Sequence, residues 1–300
     1  MKCPCVKNRN GWPLSKRRNK TGTLGAWLQT AREQLAGRDE HISVLHTLIH
    51  SVLRKPTAWQ LSHPDFLLSP EQENDITSLC ERLLTGEPLA YIIGYQWFYG
   101  RDFLVNSSVL IPRPETEQLV KIAINAAQSI ARPIRIADVG TGSGCIAITL
   151  AAEIQRSQVI ASDISFAALE TASNNAKRHT VDKQVTFMHC NLMDAADQRF
   201  DIICANLPYI PQEKLQKLDV MQHEPALALD GGPDGLRLIR PLLEDLRRMR
   251  TPNCIALFEI EASHGETFLS ISRSLFPAAS IKIENDLAGK ERIGIIQFTS

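Results

Sequence analysis

From Leu24 to about Arg82, apolar residues recur every three or four positions. Leu24, Trp27, Leu28, Ala31 and Leu35 form one set; Ile42, Leu45, Leu48, Ile49 and Val52 a second; Ile76, Leu79, Leu83 and Leu84 a third. One face of a helix repeats at that interval, so a small helical bundle is expected, with breaks at Gly37, Pro56 and Pro64. Ser69-Pro70-Glu71-Gln72 has the form of an N-cap followed by proline at the first helical position. The segment 86–114 changes character. Tyr91, Ile92, Ile93, Tyr95, Trp97, Phe98, Tyr99 and Phe103 favour strand, and Gly94 and Gly100 interrupt them, which predicts a hairpin-like connection.

After Glu115, helical stretches alternate with short apolar runs. The pattern predicts a helix from about 115 to 130, a strand Ile134–Asp138, a glycine-rich turn and a helix through Ala151. A strand Val159–Asp163, a helix through Lys177, and strands Val185–His189 and Asp201–Ala205 follow. A helix from about Leu236 to Met249 leads to the strand Ile255–Glu259, and two strands, 279–284 and 294–298, close the chain. Strand–helix alternation of this kind implies an α/β fold, a mostly parallel sheet covered by helices on both faces. The last two strands leave no room for a crossover helix between them and should pair antiparallel. The expected divisions are a basic flexible tail at 1–22, a helical domain at 23–85, the hairpin-like linker at 86–112 and the α/β domain at 113–300.

Composition narrows the partners. Thirty-three Lys and Arg balance 33 Asp and Glu, so the basic surplus usual in proteins that grip nucleic acid through phosphates is missing. The seven cysteines are scattered and mostly set in apolar runs, which suits free thiols in a reducing cytosol. Cys3 and Cys5 make the only close pair, so no metal site is expected. No apolar run approaches the roughly 18 residues that cross a bilayer. Lys2, Lys7, Arg9, Lys16, Arg17, Arg18 and Lys20 make the first twenty residues basic without a secretory core; a solvated tail is the preferred reading over an organellar transit peptide.

The first chemical constellation is Asp138-Val139-Gly140-Thr141-Gly142-Ser143-Gly144, between a strand and a helix. Alternate glycines let the backbone turn sharply and come close to a ligand. A dinucleotide fold would place its third glycine one residue later. The shorter spacing with an acid before it resembles the first motif of class I methyltransferases, Rossmann-like proteins that bind S-adenosylmethionine, and implies that Asp138 or the nearby backbone faces the cationic end of that cofactor. Asp163 ends the next strand, where a carboxylate can accept both ribose hydroxyl protons, a placement that serves NAD equally well. Asn191 and Leu192 follow the third strand; they either hold an adenine edge and face or make an ordinary strand-end turn.

The second constellation is Asn206-Leu207-Pro208-Tyr209, directly after the fourth strand, at the end of the sheet where open α/β folds place their sites. It resembles the Asn-Pro-Pro-Tyr motif of methyltransferases acting on planar, conjugated nitrogens: adenine N6, cytosine N4 and glutamine N5. The resemblance implies that the Asn206 side chain accepts one N–H of the target, the carbonyl of Leu207 accepts the other, Pro208 fixes the turn and Tyr209 stacks on the planar group. Leu207 stands where the commoner motif has proline, but only a backbone carbonyl is asked of that position.

Three further segments favour glutamine. Gly86 to Gly94, Ile111 to Glu117 and Glu224 to Leu236 are similar to those of the release factor glutamine N5-methyltransferases, and the likeness runs from about residue 24 to the end. It implies a protein substrate, the glutamine of the Gly-Gly-Gln motif in class I peptide chain release factors, and a role in translation termination in the cytoplasm. It also implies that residues 113–116 lie beside the cofactor and that the helical domain docks the substrate protein. That family usually carries an acid where this chain has Asn191; asparagine can donate as well as accept. The competing readings are a nucleic-acid adenine-N6 or cytosine-N4 methyltransferase, against which the neutral charge and the Gly86 and Ile111 segments speak, and a non-catalytic cofactor-binding adaptor.

Overall fold

The structure, a computed structural model, describes residues 22–35, 41–215 and 223–299. The tail expected at 1–22 falls almost wholly outside them, as do Cys3, Cys5 and Gly37. The chain divides into two compact units, Met1–Ile93 and Gly94–Ser300.

The first unit carries helices α1 (Leu24–Gln34), α2 (His41–Leu53), α3 (Thr57–Ser62), α4 (Pro70–Leu84) and α5 (Leu89–Ile93). Its core gathers the periodic residues, Leu24, Trp27, Leu28 and Ala31 of α1 with Leu45, Leu48 and Ile49 of α2 and Ile76 and Cys80 of α4. The Trp27 indole N–H donates to Thr77 Oγ1 at 3.0 Å, so the buried ring keeps its polar end satisfied. Ser69 caps α4 as its sequence suggested, with Gln72 closing a reciprocal capping box and Pro70 at the first helical position. Tyr91, Ile92 and Ile93 are not strand residues. Pro88 opens a helical turn, its carbonyl accepting from the N–H groups of Tyr91 and Ile92, and Ile92 is buried in the helical core. Burial against helices overrides the β preference of these side chains.

The hairpin proper is shorter than expected and belongs to the second unit: β1 (Tyr95–Phe98) and β2 (Arg101–Leu104) pair antiparallel. Tyr99 and Gly100, both at positive φ, make the two-residue turn that matches strand twist. The rest of the unit runs α6 (Thr116–Gln128), β3 (Ile134–Val139), α7 (Cys145–Glu153), β4 (Ser157–Asp163), α8 (Phe166–Arg178), β5 (Val185–His189), β6 (Phe200–Ala205), α9 (Gln212–Leu215), α10 (Ile239–Met249), β7 (Arg250–Glu259), α11 (Gly265–Leu275), β8 (Ser280–Asn285) and β9 (Glu291–Gln297). The strands form one sheet in the order β5-β4-β3-β6-β7-β9-β8. Neighbours are parallel except β9, which runs antiparallel to both β7 and β8. The sheet is therefore Rossmann-like, mostly parallel with an antiparallel C-terminal strand. Helix α11 was not foreseen; it carries the chain across from β7 to the sheet edge, so that β9 can return between β7 and β8.

Strand alternation sorts the core into two layers. Ile134 and Ile136 of β3, Ile202 and Cys204 of β6 and Leu257 of β7 face α6 and α7, together with Phe98 and Phe103 of the hairpin. Ala137, Val139, Ile203, Ala205, Ala256 and Phe258 face α10 and α11. Continuing the alternation, Asp138 and Glu259 fall on the α6–α7 layer.

At the opposite end of β6, Asp201 ties the sheet together. It accepts two N–H groups from the Arg132 guanidinium at 2.6 and 2.8 Å, the Arg135 N–H at 3.0 Å and the Thr251 hydroxyl at 3.0 Å. Burial pushes its carboxyl up, but these donors outweigh burial and hold it below the usual carboxylate range. Such a group stabilises the fold fully above its unfolded value of about 3.9 and loses that contribution as pH falls through its lower folded value. Asp201→Asn is expected to cost about 2 kcal/mol near neutral pH, the scale of hydrogen bonds to a charged group. Chemical denaturation at two pH values checks this: the difference from wild type should shrink as the solution is acidified below about pH 3.9.

Candidate active site

The carboxyl ends of β3, β4 and β6 open into one cleft, on either side of the point where the chain order leaves β3 in both directions. Gly140, Thr141, Gly142 and Ser143 form one wall, Asp163, Ile164 and Ser165 a second, and Asn206, Leu207 and Pro208 a third. Asn191 and Leu192 also line it, while Pro112 and Arg113 approach from the segment before α6 and Thr116 from the first turn of α6.

The glycine loop is held from below. Gly140, Gly142 and Gly144 all have positive φ, and the N–H groups of Gly140 and Thr141 both donate to the Ser162 carbonyl at the end of β4. Beside Gly142 an added Cβ would meet no atom within 4 Å, so this stretch of bare backbone faces open space. Gly144 is the N-cap of α7 in left-handed conformation. Asp138 does not line the cleft. It is fully buried, and its Oδ2 accepts from the Thr141 hydroxyl at 2.6 Å and the Ala147 N–H at 3.2 Å, which pins the loop to the first turn of α7. Its Oδ1 is buried without a partner among the described residues. Burial pushes the Asp138 carboxyl up to about 7, against the pull of those two donors.

Asp163 is set differently. One carboxylate oxygen accepts the Gly142 N–H at 2.9 Å and the other the Ser165 N–H at 2.8 Å, so its plane is fixed with respect to the glycine loop. Each oxygen keeps lone-pair capacity for a further donor. Leu192 adopts a positive φ, and its carbonyl accepts the Ser162 hydroxyl, fixing the turn after β5 next to the β4 end. Asn191 is exposed at the cleft edge.

The Asn206 turn is organised by residues far away in sequence. Asn206 donates through Nδ2 to Thr116 Oγ1 at 3.1 Å, and Thr116 donates its own proton to Glu259 Oε2 at 2.6 Å. The Tyr209 hydroxyl donates to Glu259 Oε1 at 3.1 Å. Tyr209, like Asp138, is not on the cleft wall. Glu259 is 1% exposed. Burial pushes its carboxyl up while the hydroxyls of Thr116 and Tyr209 and the nearby Arg292 pull it down. Burial likewise raises the Tyr209 phenol.

Two of the segments flagged by resemblance build the surroundings of this turn. Glu224, buried, accepts the Ile111 N–H at 3.1 Å and the Arg113 guanidinium at 2.5 Å, joining the segment before α6 to the Pro225–Ala228 wall. Gly235 packs on the turn itself: a Cβ there would lie 2.4 Å from the Tyr209 carbonyl oxygen, so no larger residue fits without displacing it.

Comparison with known proteins fits this arrangement. Residues 26–94 match the PrmC N-terminal domain family, and residues 121–224 match the methyltransferase small domain family. A release factor glutamine methyltransferase of Bacillus anthracis is 38% identical over 86% of this chain and 92% of its own length. Another, from Nitratidesulfovibrio vulgaris, is 36% identical over 90% of this chain and 93% of its own. The chain belongs to the release factor glutamine methyltransferase family. A solved protein-(glutamine-N5) methyltransferase (release factor-specific) from Alicyclobacillus acidocaldarius is 23% identical, covering 66% of this chain and 100% of its own at a TM-score of 0.42.

Of the residues singled out in the sequence of this methyltransferase, Gly140, Thr141, Gly142, Ser143, Asp163, Asn191, Leu192, Asn206, Leu207 and Pro208 meet at one cleft. Sequence reading missed Glu259, Glu224's tie to Arg113, and Ile164, whose half-exposed side chain lines the cleft next to Asp163. The only signal for Glu259 was an acid closing an otherwise apolar buried strand.

The raised carboxyl of Asp138 has a measurable consequence. An acid whose folded value lies above its unfolded value of about 3.9 destabilises the fold as pH rises between the two. Relative to Asp138→Asn, wild-type unfolding free energy is expected to fall from about pH 4 to about 7 and then level off. Parallel curves in denaturant titrations across that window would refute the assignment.

Proposed function

We propose that this chain transfers the methyl group of S-adenosylmethionine to the side-chain amide nitrogen (N5) of the glutamine in the Gly-Gly-Gln motif of a peptide chain release factor. The observation that carries this reading is the Asn206-Leu207-Pro208-Tyr209 turn: its asparagine is anchored through Nδ2, which leaves Oδ1 available at a cleft shared with the glycine loop. Family membership supports the substrate class, and a neutral net charge suits a protein substrate better than a nucleic acid. A cytosolic setting follows from such a substrate, and among the described residues no helix is long and apolar enough to cross a membrane. The helical unit, matched to the PrmC N-terminal domain, is the natural candidate for docking the release factor outside the loop that is modified.

The cleft suits the methyl donor. Open space beside Gly142 lets a ligand lie against bare backbone. The spare lone pairs of Asp163 match two adjacent ribose hydroxyls. Ile164 and Leu192 offer apolar surface to a flat ring, and Asn191 offers a donor and an acceptor at its edge. On this reading Gly140, Thr141, Gly142 and Ser143 hold the amino-acid end, with Gly144 capping α7 off the cleft wall and Asp138 bracing the loop rather than touching the ligand. When bound, the donor supplies an electrophilic methyl group whose transfer leaves a neutral thioether.

The protein's own task is to make a poor nucleophile usable. An amide nitrogen delocalises its lone pair, so it must be held with that lone pair toward the methyl. Asn206 Oδ1 accepts one of its N–H groups and the Leu207 carbonyl the other, and both oxygens offset the positive charge that builds on nitrogen as it is alkylated. These two oxygens are also the first acceptors for the proton that nitrogen must then lose. Pro208 stiffens the turn. Tyr209, off the cleft wall and tethered to Glu259 by its hydroxyl, braces the far end of the turn.

Incubation with radiolabelled donor and either release factor or DNA tests the reading. Label is expected in the release factor, at the Gly-Gly-Gln peptide by mass mapping; label in DNA alone would reverse it. Asn206→Ala should lower transfer by about 10²–10³-fold, the usual effect of removing one preorganised electrostatic partner, with donor affinity changed only modestly. Asp163→Ala should instead raise the donor Kd, and unchanged binding by calorimetry would remove the ribose assignment.

A further inference from the structure

We infer that Glu259 is a positioning residue that, through Thr116, fixes which end of the Asn206 amide faces the cleft and, through Tyr209, holds the other end of the same turn. The inference rests on Asn206 being the acceptor described above.

An asparagine amide has two ends of nearly equal shape, one donating and one accepting. Shape alone therefore does not decide which end meets the substrate; a neighbour must. Thr116 is that neighbour, but a hydroxyl both donates and accepts, so Thr116 alone is ambiguous too. At 2.6 Å the Thr116–Glu259 contact has the length of a charge-assisted O–H···O− bond. Arg292 and the two hydroxyls favour the ionised form against burial, and an ionised carboxylate only accepts. Glu259 therefore draws the single proton of Thr116 toward Oε2, and Thr116 is left able only to accept from Asn206. The Asn206 NH2 must turn to Thr116 and its oxygen to the cleft. Orientation passes in one direction along the chain Glu259–Thr116–Asn206.

The same carboxylate takes the Tyr209 hydroxyl on its other oxygen. Both ends of the four-residue turn thus refer to one buried group at the end of β7, the strand next to β6 in the sheet. A glutamine at 259 would offer one oxygen and one NH2. It could accept from only one of the two hydroxyls, and either Thr116 would redirect its proton to Asn206 and turn the amide, or Tyr209 would lose its acceptor.

The test compares Thr116→Val, Thr116→Ser and Glu259→Gln in the full-length enzyme with intact release factor. Thr116→Val keeps shape and removes the hydroxyl; its kcat is expected to fall by about 10- to 100-fold, a fraction of the full loss of one electrostatic partner, with release-factor KM and donor Kd within about threefold of wild type. Thr116→Ser keeps the hydroxyl and should recover most of that loss. Glu259→Gln should lower kcat at least as much as Thr116→Val. Wild-type kcat in Thr116→Val or in folded Glu259→Gln would overturn the inference, and so would a Thr116→Ser variant as impaired as Thr116→Val, since packing alone would then explain both. If Glu259→Gln fails to fold, the two Thr116 variants decide. Full activity in Asn206→Ala would instead defeat the functional reading beneath it.

Discussion

Two loops leave neighbouring strands of a parallel sheet, and the cleft depends on how closely they approach. Val139 and Ala205 face each other across the β3–β6 ladder, so the glycine loop and the Asn206 turn start roughly 4.8 Å apart. A Cβ on Gly140 would lie 2.8 Å from the Leu207 side chain. Glycine at that point is what allows the Leu207 side chain to fill the space between the loops while its carbonyl stays with the turn. A ligand bound along the first loop is then in reach of a group bound at the second without either loop having to move.

Around this contact the protein concentrates carboxylates. Asp138, Asp163 and Glu259 stand at the carboxyl ends of β3, β4 and β7, and two of them are almost wholly buried. Removing an ion from water costs several kcal/mol, and a buried polar network adds nothing to stability over well-packed apolar side chains unless every member is satisfied. The gain here is directional. Asp138 pins the glycine loop to α7, Asp163 presents a fixed plane to the cleft, and Glu259 gathers hydroxyls from both sides of the Asn206 turn. Apolar residues of similar volume would pack these strand ends, but would leave the loops above them free to choose among several hydrogen-bonding arrangements.

Local signals made much of this legible. The glycine run, the acid ending the next strand and the Asn-x-Pro-Tyr turn are each short and contiguous, and each follows an apolar strand, so their shared location could be read without coordinates. Ser69 and Pro70 marked the start of α4 for the same reason. What was not legible is non-local. Thr116 and Glu259 meet although 143 residues separate them along the chain, and nothing in either neighbourhood announces the other. Tyr91 to Ile93 look like strand because propensity sees side-chain type and not the helical core into which Ile92 packs. Helix α11 escaped because its apolar positions, Phe268, Leu269, Ile271 and Leu275, are few and sit among serines. Asp138 was legible as part of the motif but not as a brace, since only its burial distinguishes the two.

The Asn206 turn by itself does not choose between a nucleobase and a glutamine, because an exocyclic amino group and a carboxamide present the same pair of hydrogens. Discrimination has to come from what surrounds the turn. In this chain two of the three segments that resemble the glutamine family have structural work to do there: the Glu224 carboxylate fastens Ile111 and Arg113 to the Pro225–Ala228 wall, and Gly235 lies against the carbonyl of Tyr209. The Arg113 charge is paired with Glu224, and Pro225, Leu227 and Ala228 present apolar side chains beside it. A flipped base arrives attached to charged phosphates and needs an open basic surface; a glutamine flanked by glycines brings little more than backbone. On the proposed reading, the shape of these walls and the internal pairing of Arg113 with Glu224, more than the acceptor turn, set the substrate class.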